Sequence, residues 1–94
     1  MRLFYIAVNR GHAQEITDPG YLSNALRQAD HEHRALEHSR IHVSSAGACG
    51  VLFFNGLAPA NTYDYCCALV IRALDEAPDL DGWYLSNCAP LATI

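Results

Sequence analysis

The chain opens on a continuous apolar run, Leu3 to Val8 (LFYIAV), rich in aromatic and branched side chains. A run without alternation fits a central strand, or one covered on both faces. Asn9 to Thr17 is polar and contains Gly11, and Asp18-Pro19 then reads as a helix start, with Asp18 as N-cap and Pro19 at the first helical position. Leu22, Ala25, Leu26, Ala29, His33 and Leu36 recur at helical spacing, so the helix is expected to run from Pro19 to about Glu37. Asn24, Arg27, Gln28, His31, Arg34 and His38 form its polar side.

From Arg40 the period changes. Ile41 to Ser45 alternates as a half-exposed strand does, Ala46-Gly47-Ala48 supplies a turn, and Cys49 to Phe54 (CGVLFF) is a second apolar strand ending at Asn55-Gly56. Pro59 introduces a second helix with Asn61 as its N-cap and Asp64 favourable to the amino-terminal dipole. Tyr63, Cys66, Cys67, Val70, Ile71 and Leu74 are its expected buried face, and Pro78 stops it. An acidic loop, Asp79 to Gly82, leads to a fourth strand, Trp83 to Cys88. The order β-α-β-β-α-β predicts one α+β domain of the ferredoxin-like kind, two helices on one face of a four-stranded antiparallel sheet. In that topology the first and third strands are central, and they are the two most apolar here.

Composition narrows the chemistry. All six basic residues are arginine, which excludes lysine Schiff bases and a lysine-bearing phosphate loop. The 94 residues carry a net charge of −4, and only 17% are charged. An acidic chain is a poor phosphate-backbone binder, whereas a surface low in charge favours association with a partner. The apolar start at Leu3 is cut short by Asn9 and Arg10, unlike a signal peptide, and no run approaches the ~20 residues of a membrane span. A cytoplasmic protein whose four cysteines (Cys49, Cys66, Cys67, Cys88) are buried thiols is the expectation.

Candidate catalytic groups are sparse. His31, His33, His38 and His42 are wrongly spaced for a helical metal pair, so neither metal nor cofactor is implied. Ile41-His42-Val43-Ser44 is one half of a two-histidine phosphoesterase signature, without the second copy that chemistry needs. Cys49-Gly50-Val51-Leu52-Phe53-Phe54 retains only the glycine and trailing aromatics of an RNA-recognition strand, which argues against direct nucleic-acid binding. His42 could face Cys49 across the hairpin, and that pair anchors the alternative function, a dimeric ferredoxin-like sensor or small enzyme with a pocket beside it.

The remaining feature is a concentration of acid. Asp75, Glu76, Asp79 and Asp81 follow Arg72 with no base after them, and the first two oppose the dipole at the end of their helix. Trp83 and Tyr84 follow at once, and aromatics beside a charged rim are typical of protein-binding hot spots. These six residues are the expected partner-binding site. In size, topology and charge the chain resembles small phage or mobile-element inhibitors of the anti-CRISPR kind. That resemblance implies a non-catalytic module whose acids stand in for phosphates on a basic nucleic-acid-binding site of a larger protein or nucleoprotein complex. Pairing of sheet edges into a homodimer is a further expectation.

Overall fold

The computed structural model describes residues 1–93. It contains β1 (Arg2–Asn9), α1 (Pro19–Ala29), β2 (Leu36–Val43), β3 (Gly47–Phe54), α2 (Pro59–Glu76), a 3-10 turn (Pro78–Leu80) and β4 (Tyr84–Thr93). The sheet order is β2-β3-β1-β4, with every neighbouring pair antiparallel. This is the ferredoxin-like arrangement, and the two apolar runs occupy its centre as their composition predicts. Alternation sorts their side chains. Phe4, Ile6, Val8, Ala48, Leu52 and Phe54 join the buried core with the helices, while Leu3, Tyr5, Ala7, Cys49, Val51 and Phe53 lie half-buried on the open face. Phe54 packs edge-on against both Phe4 and Tyr65, with ring centroids 6.1 Å apart in each case, and so links both central strands to α2. Each fully buried Leu or Phe here contributes about 1.5–3 kcal/mol.

The first helix stops at Ala29, eight residues before the expected end. The cause is Asp30, which is buried and folds the chain back on itself. Its carboxylate accepts from the backbone N–H of Ala35 (3.2 Å) and Leu36 (2.8 Å) and from the Tyr65 hydroxyl. Arg34, at φ 49°, completes the reversal. His33 is therefore exposed in a loop against the Tyr65 ring (5.1 Å), and His38 is not on the polar side of a helix. His38 instead lies in β2, edge-on to Phe53 at 5.5 Å. Leu36 is buried as expected, but as the first strand residue opposite Phe54.

Three further boundaries shift. The β2–β3 turn is closed by Ser44 and Gly47, whose backbones exchange hydrogen bonds of 2.8 and 3.3 Å, one step earlier than predicted. Gly47 crosses Val8 so closely that a Cβ there would sit 2.1 Å from the Val8 carbonyl oxygen. Helix α2 takes Ala58 as its N-cap and has no side-chain cap bond, so Asn61 is an exposed first-turn residue and not the cap. Its buried face is Thr62, Tyr65, Cys66, Leu69, Val70, Ala73 and Leu74, which leaves Tyr63 and Ile71 exposed. Strand β4 begins at Tyr84 and continues to Thr93, with two register shifts against β1. Pro90 is tolerated because β4 is an edge strand.

Candidate functional site

The acidic segment is rigid from the inside and bare on the outside. Asp75 and Glu76 close the last turn of α2, where no basic residue stands, and Pro78 then forces a 3-10 turn. Leu80 is wholly buried beneath that turn, and the Trp83 N–H donates to its carbonyl at 3.0 Å. The Asp79 N–H donates to the Tyr21 hydroxyl at 3.3 Å, tying the turn to α1. Gly82, at φ 88°, swings the chain into β4. All of this holds the backbone while the carboxylates of Asp75, Glu76, Asp79 and Asp81 point into solvent.

Arg72 does not neutralise them. It faces α1, where its guanidinium donates to the Ala29 carbonyl at 2.9 Å and to the Glu32 carboxylate at 3.4 Å. Among the described residues, no arginine pairs with any of the four.

Beside Asp75 the surface is apolar and concave. A cleft of ≈ 320 Å³ runs between the end of α2 and the start of β4, lined by Ile71, Leu74, Asp75, Trp83, Tyr84 and Leu85. Ile71 is 50% exposed and Tyr84 52% exposed, two large apolar side chains left in water at one place. Trp83 is only 6% exposed and serves as the floor, its indole N–H donating to the Gln14 carbonyl at 2.9 Å. On the other side of α2, a second cleft of ≈ 270 Å³ separates it from α1 and includes Tyr21, Gln28, Glu76 and Pro78.

Of the six residues expected from the sequence, Asp75, Trp83 and Tyr84 share one cleft, Glu76 lines the cleft on the other side of α2, and Asp79 and Asp81 lie on the connecting turn. Five face solvent, and Trp83 is buried. Ile71, Leu74 and Leu85 were missing from that expectation, since Ile71 and Leu74 read as core. Only the 3.6-residue phase of α2 separates Ile71 from the buried stripe, and a helix that is apolar on several sides does not reveal its phase.

The other sequence-level constellation also comes together in part. His42 and Cys49 are direct partners in the β2–β3 ladder, on the open face, and the Cys49 side chain reaches the Tyr5 hydroxyl and pushes its pKa up. The histidines do not gather: among the described residues, no group of three or more His, Cys, Asp or Glu side chains is arranged to hold a metal ion. No helix of the described residues is long and apolar enough to cross a membrane. Three thiols meet elsewhere, between α2 and β4. Cys66 is buried, Cys67 and Cys88 half-buried, and burial pushes the Cys88 thiol up to about 11 and that of Cys66 higher still. Compared with protein-family models, curated proteins and solved structures, the chain gives no match.

Proposed function

We propose that the protein is a non-catalytic binding module, and that the acidic carboxyl end of α2, with the apolar cleft beside it, docks on a basic, nucleic-acid-binding surface of a larger protein. The mode is that of a phage-encoded inhibitor of the anti-CRISPR kind. The observation that carries this reading is that Ile71 and Tyr84, each about half exposed, line a cleft with Asp75, the first of four acids at this end of α2 that no arginine among the described residues neutralises. Apolar anchors beside unpaired charge combine affinity with selectivity, since the anchors bury area and the charges reject acidic partners. Carboxylates on a rigid turn also present oxygen acceptors to arginine and lysine much as a phosphate strand does. Charge attraction of this kind raises the association rate and weakens with salt.

Affinity capture with the wild-type protein and with Asp79→Arg/Asp81→Arg tests the reading. One dominant partner, eluted by salt, displaced from its nucleic acid by the wild type and lost with the double variant, is the expected result. Normal capture by the double variant overturns the acidic mechanism.

A second reading places a small-molecule site on the open sheet face, as in a dimeric sensor or small enzyme, and is favoured by the register that sets His42 opposite Cys49 beside Tyr5. A ligand screen by thermal shift, in which Cys49→Ser abolishes the response and Asp79→Arg/Asp81→Arg leaves it intact, would decide for it.

A further inference from the structure

We infer that Cys66 and Cys88 form an oxidative-modification site, closing under a peroxide into a disulfide that ties α2 to β4. The Cys88 Sγ lies 3.6 Å from the Cys66 Sγ, so the two sulfurs must approach by about 1.5 Å to reach the ~2.05 Å of a disulfide bond. They belong to different elements and are separated by 21 residues of chain (88 − 66 − 1), so the bond is a tertiary cross-link and not a local kink. Cys88 is half-buried and is the sulfur an oxidant reaches, whereas Cys66 is wholly enclosed.

The chemistry balances with hydrogen peroxide as the oxidant. The Cys88 thiolate attacks one peroxide oxygen, the O–O bond breaks, hydroxide leaves, and Cys88 becomes a sulfenic acid. The Cys66 sulfur then attacks the Cys88 sulfur, the S–O bond breaks, and water leaves with the Cys66 proton. Two electrons pass from the two thiols to the peroxide. Burial holds both groups mostly as thiols at neutral pH, so only a small thiolate fraction of Cys88 reacts and the step is slower than at a catalytic cysteine. The product joins the two elements whose ends wall the apolar cleft beside Asp75: Ile71 and Leu74 follow Cys66 on α2, and Leu85 precedes Cys88 on β4. The assignment stands whether or not that cleft binds a partner.

The experiment uses the whole chain. Because the only trypsin-cleavable residues are arginines, a digest places Cys49, Cys66 and Cys67 in one peptide, Ile41 to Arg72, and Cys88 in the next. In Cys49→Ser/Cys67→Ser, peroxide treatment is expected to abolish both free thiols in denaturant, to remove the mass of two hydrogens and to cross-link the two peptides. The thermal midpoint rises by roughly 10 °C over the reduced form. Persistence of both thiols, gain of oxygen mass without a cross-link, or a disulfide-linked dimer overturns the assignment. Should the double variant fail to fold, fragmentation of the wild-type cross-linked peptides decides: a bond at Cys66 supports the inference, and one at Cys67 or Cys49 refutes it.

Discussion

Asp30 and the group formed by Asp75, Glu76, Asp79 and Asp81 are carboxylates put to opposite uses. Asp30 is buried and its oxygens are filled by two backbone N–H groups and the Tyr65 hydroxyl, so its charge is absorbed by the fold itself. The other four are exposed, two in the last turn of α2 and two at the 3-10 turn that follows, and no arginine among the described residues meets them. A carboxylate enclosed by donors supports its own chain, because removing it strands those donors in the interior. Asp75 and Glu76 stand in water at a helix end that disfavours them and so do not support the chain that carries them. The difference sets charge that the fold uses at the end of α1 against charge that it does not use at the end of α2.

The sharpest break of the comparison is Asp30→Ala. It strands the N–H groups of Ala35 and Leu36 and the Tyr65 hydroxyl, and urea unfolding should show a loss of about 3 kcal/mol. A loss below about 1 kcal/mol would mean that water replaces the carboxylate, and that the turn between α1 and β2 does not depend on it.

Tyr65→Phe removes one donor from the same knot and should cost about 1–2 kcal/mol near neutral pH. It also carries a pH signature. Burial, with the hydrogen bond to Asp30 next, raises the Tyr65 pKa to about 12, against 10.0 for the free group. A raised pKa means that the folded state keeps the proton longer than the unfolded state. The stabilisation is whole below pH 10 and disappears as pH climbs from about 10 to 12. Tyr5 and Tyr63 are raised as well, so the measurement is the difference between wild type and Tyr65→Phe, which should shrink across that window. A constant difference would show that Tyr65 acts through packing alone.

How much of this was legible in the sequence follows from where each cause sits. The central strands were readable because a strand between two others shows an apolar run whatever its neighbours are. The end of α1 was not, because helical spacing continues formally to Leu36, and the Asp30 carboxylate that takes the Ala35 and Leu36 N–H groups is also held by Tyr65, 35 residues away. The register shift between Leu36 and His38 also hid the start of β2 by breaking its alternation. For the candidate site, the acids and the Trp83-Tyr84 pair were visible as composition, and alternation separates the buried Trp83 from the exposed Tyr84. Ile71 was assigned inward because α2 is apolar around most of its circumference, and only packing against β4 sets its phase.

On the exposed side of the comparison, Asp79→Arg/Asp81→Arg should leave stability within about 0.5 kcal/mol of wild type, since both side chains are in solvent. Denaturant midpoints measured alongside capture experiments check this. A large loss of stability would place these acids in the fold and remove the contrast with Asp30.

The smallest effect is the most telling, because its sign is opposite to the usual one. Glu76 sits in the last turn of α2, where backbone carbonyls already concentrate negative charge and no basic side chain offsets it. Neighbouring Asp75 adds like charge. Glu76→Gln keeps the shape and removes the charge, so the protein should become more stable by about 0.3 kcal/mol at low salt, with the gain fading as salt screens the dipole. If the acidic end of α2 binds a basic partner, the same substitution should weaken capture, chiefly by slowing association. A variant that is more stable and binds less well would show that this end of the helix is shaped by a partner at the expense of the fold. One that is less stable, as Asp30→Ala is expected to be, would show that both groups of carboxylates serve the chain.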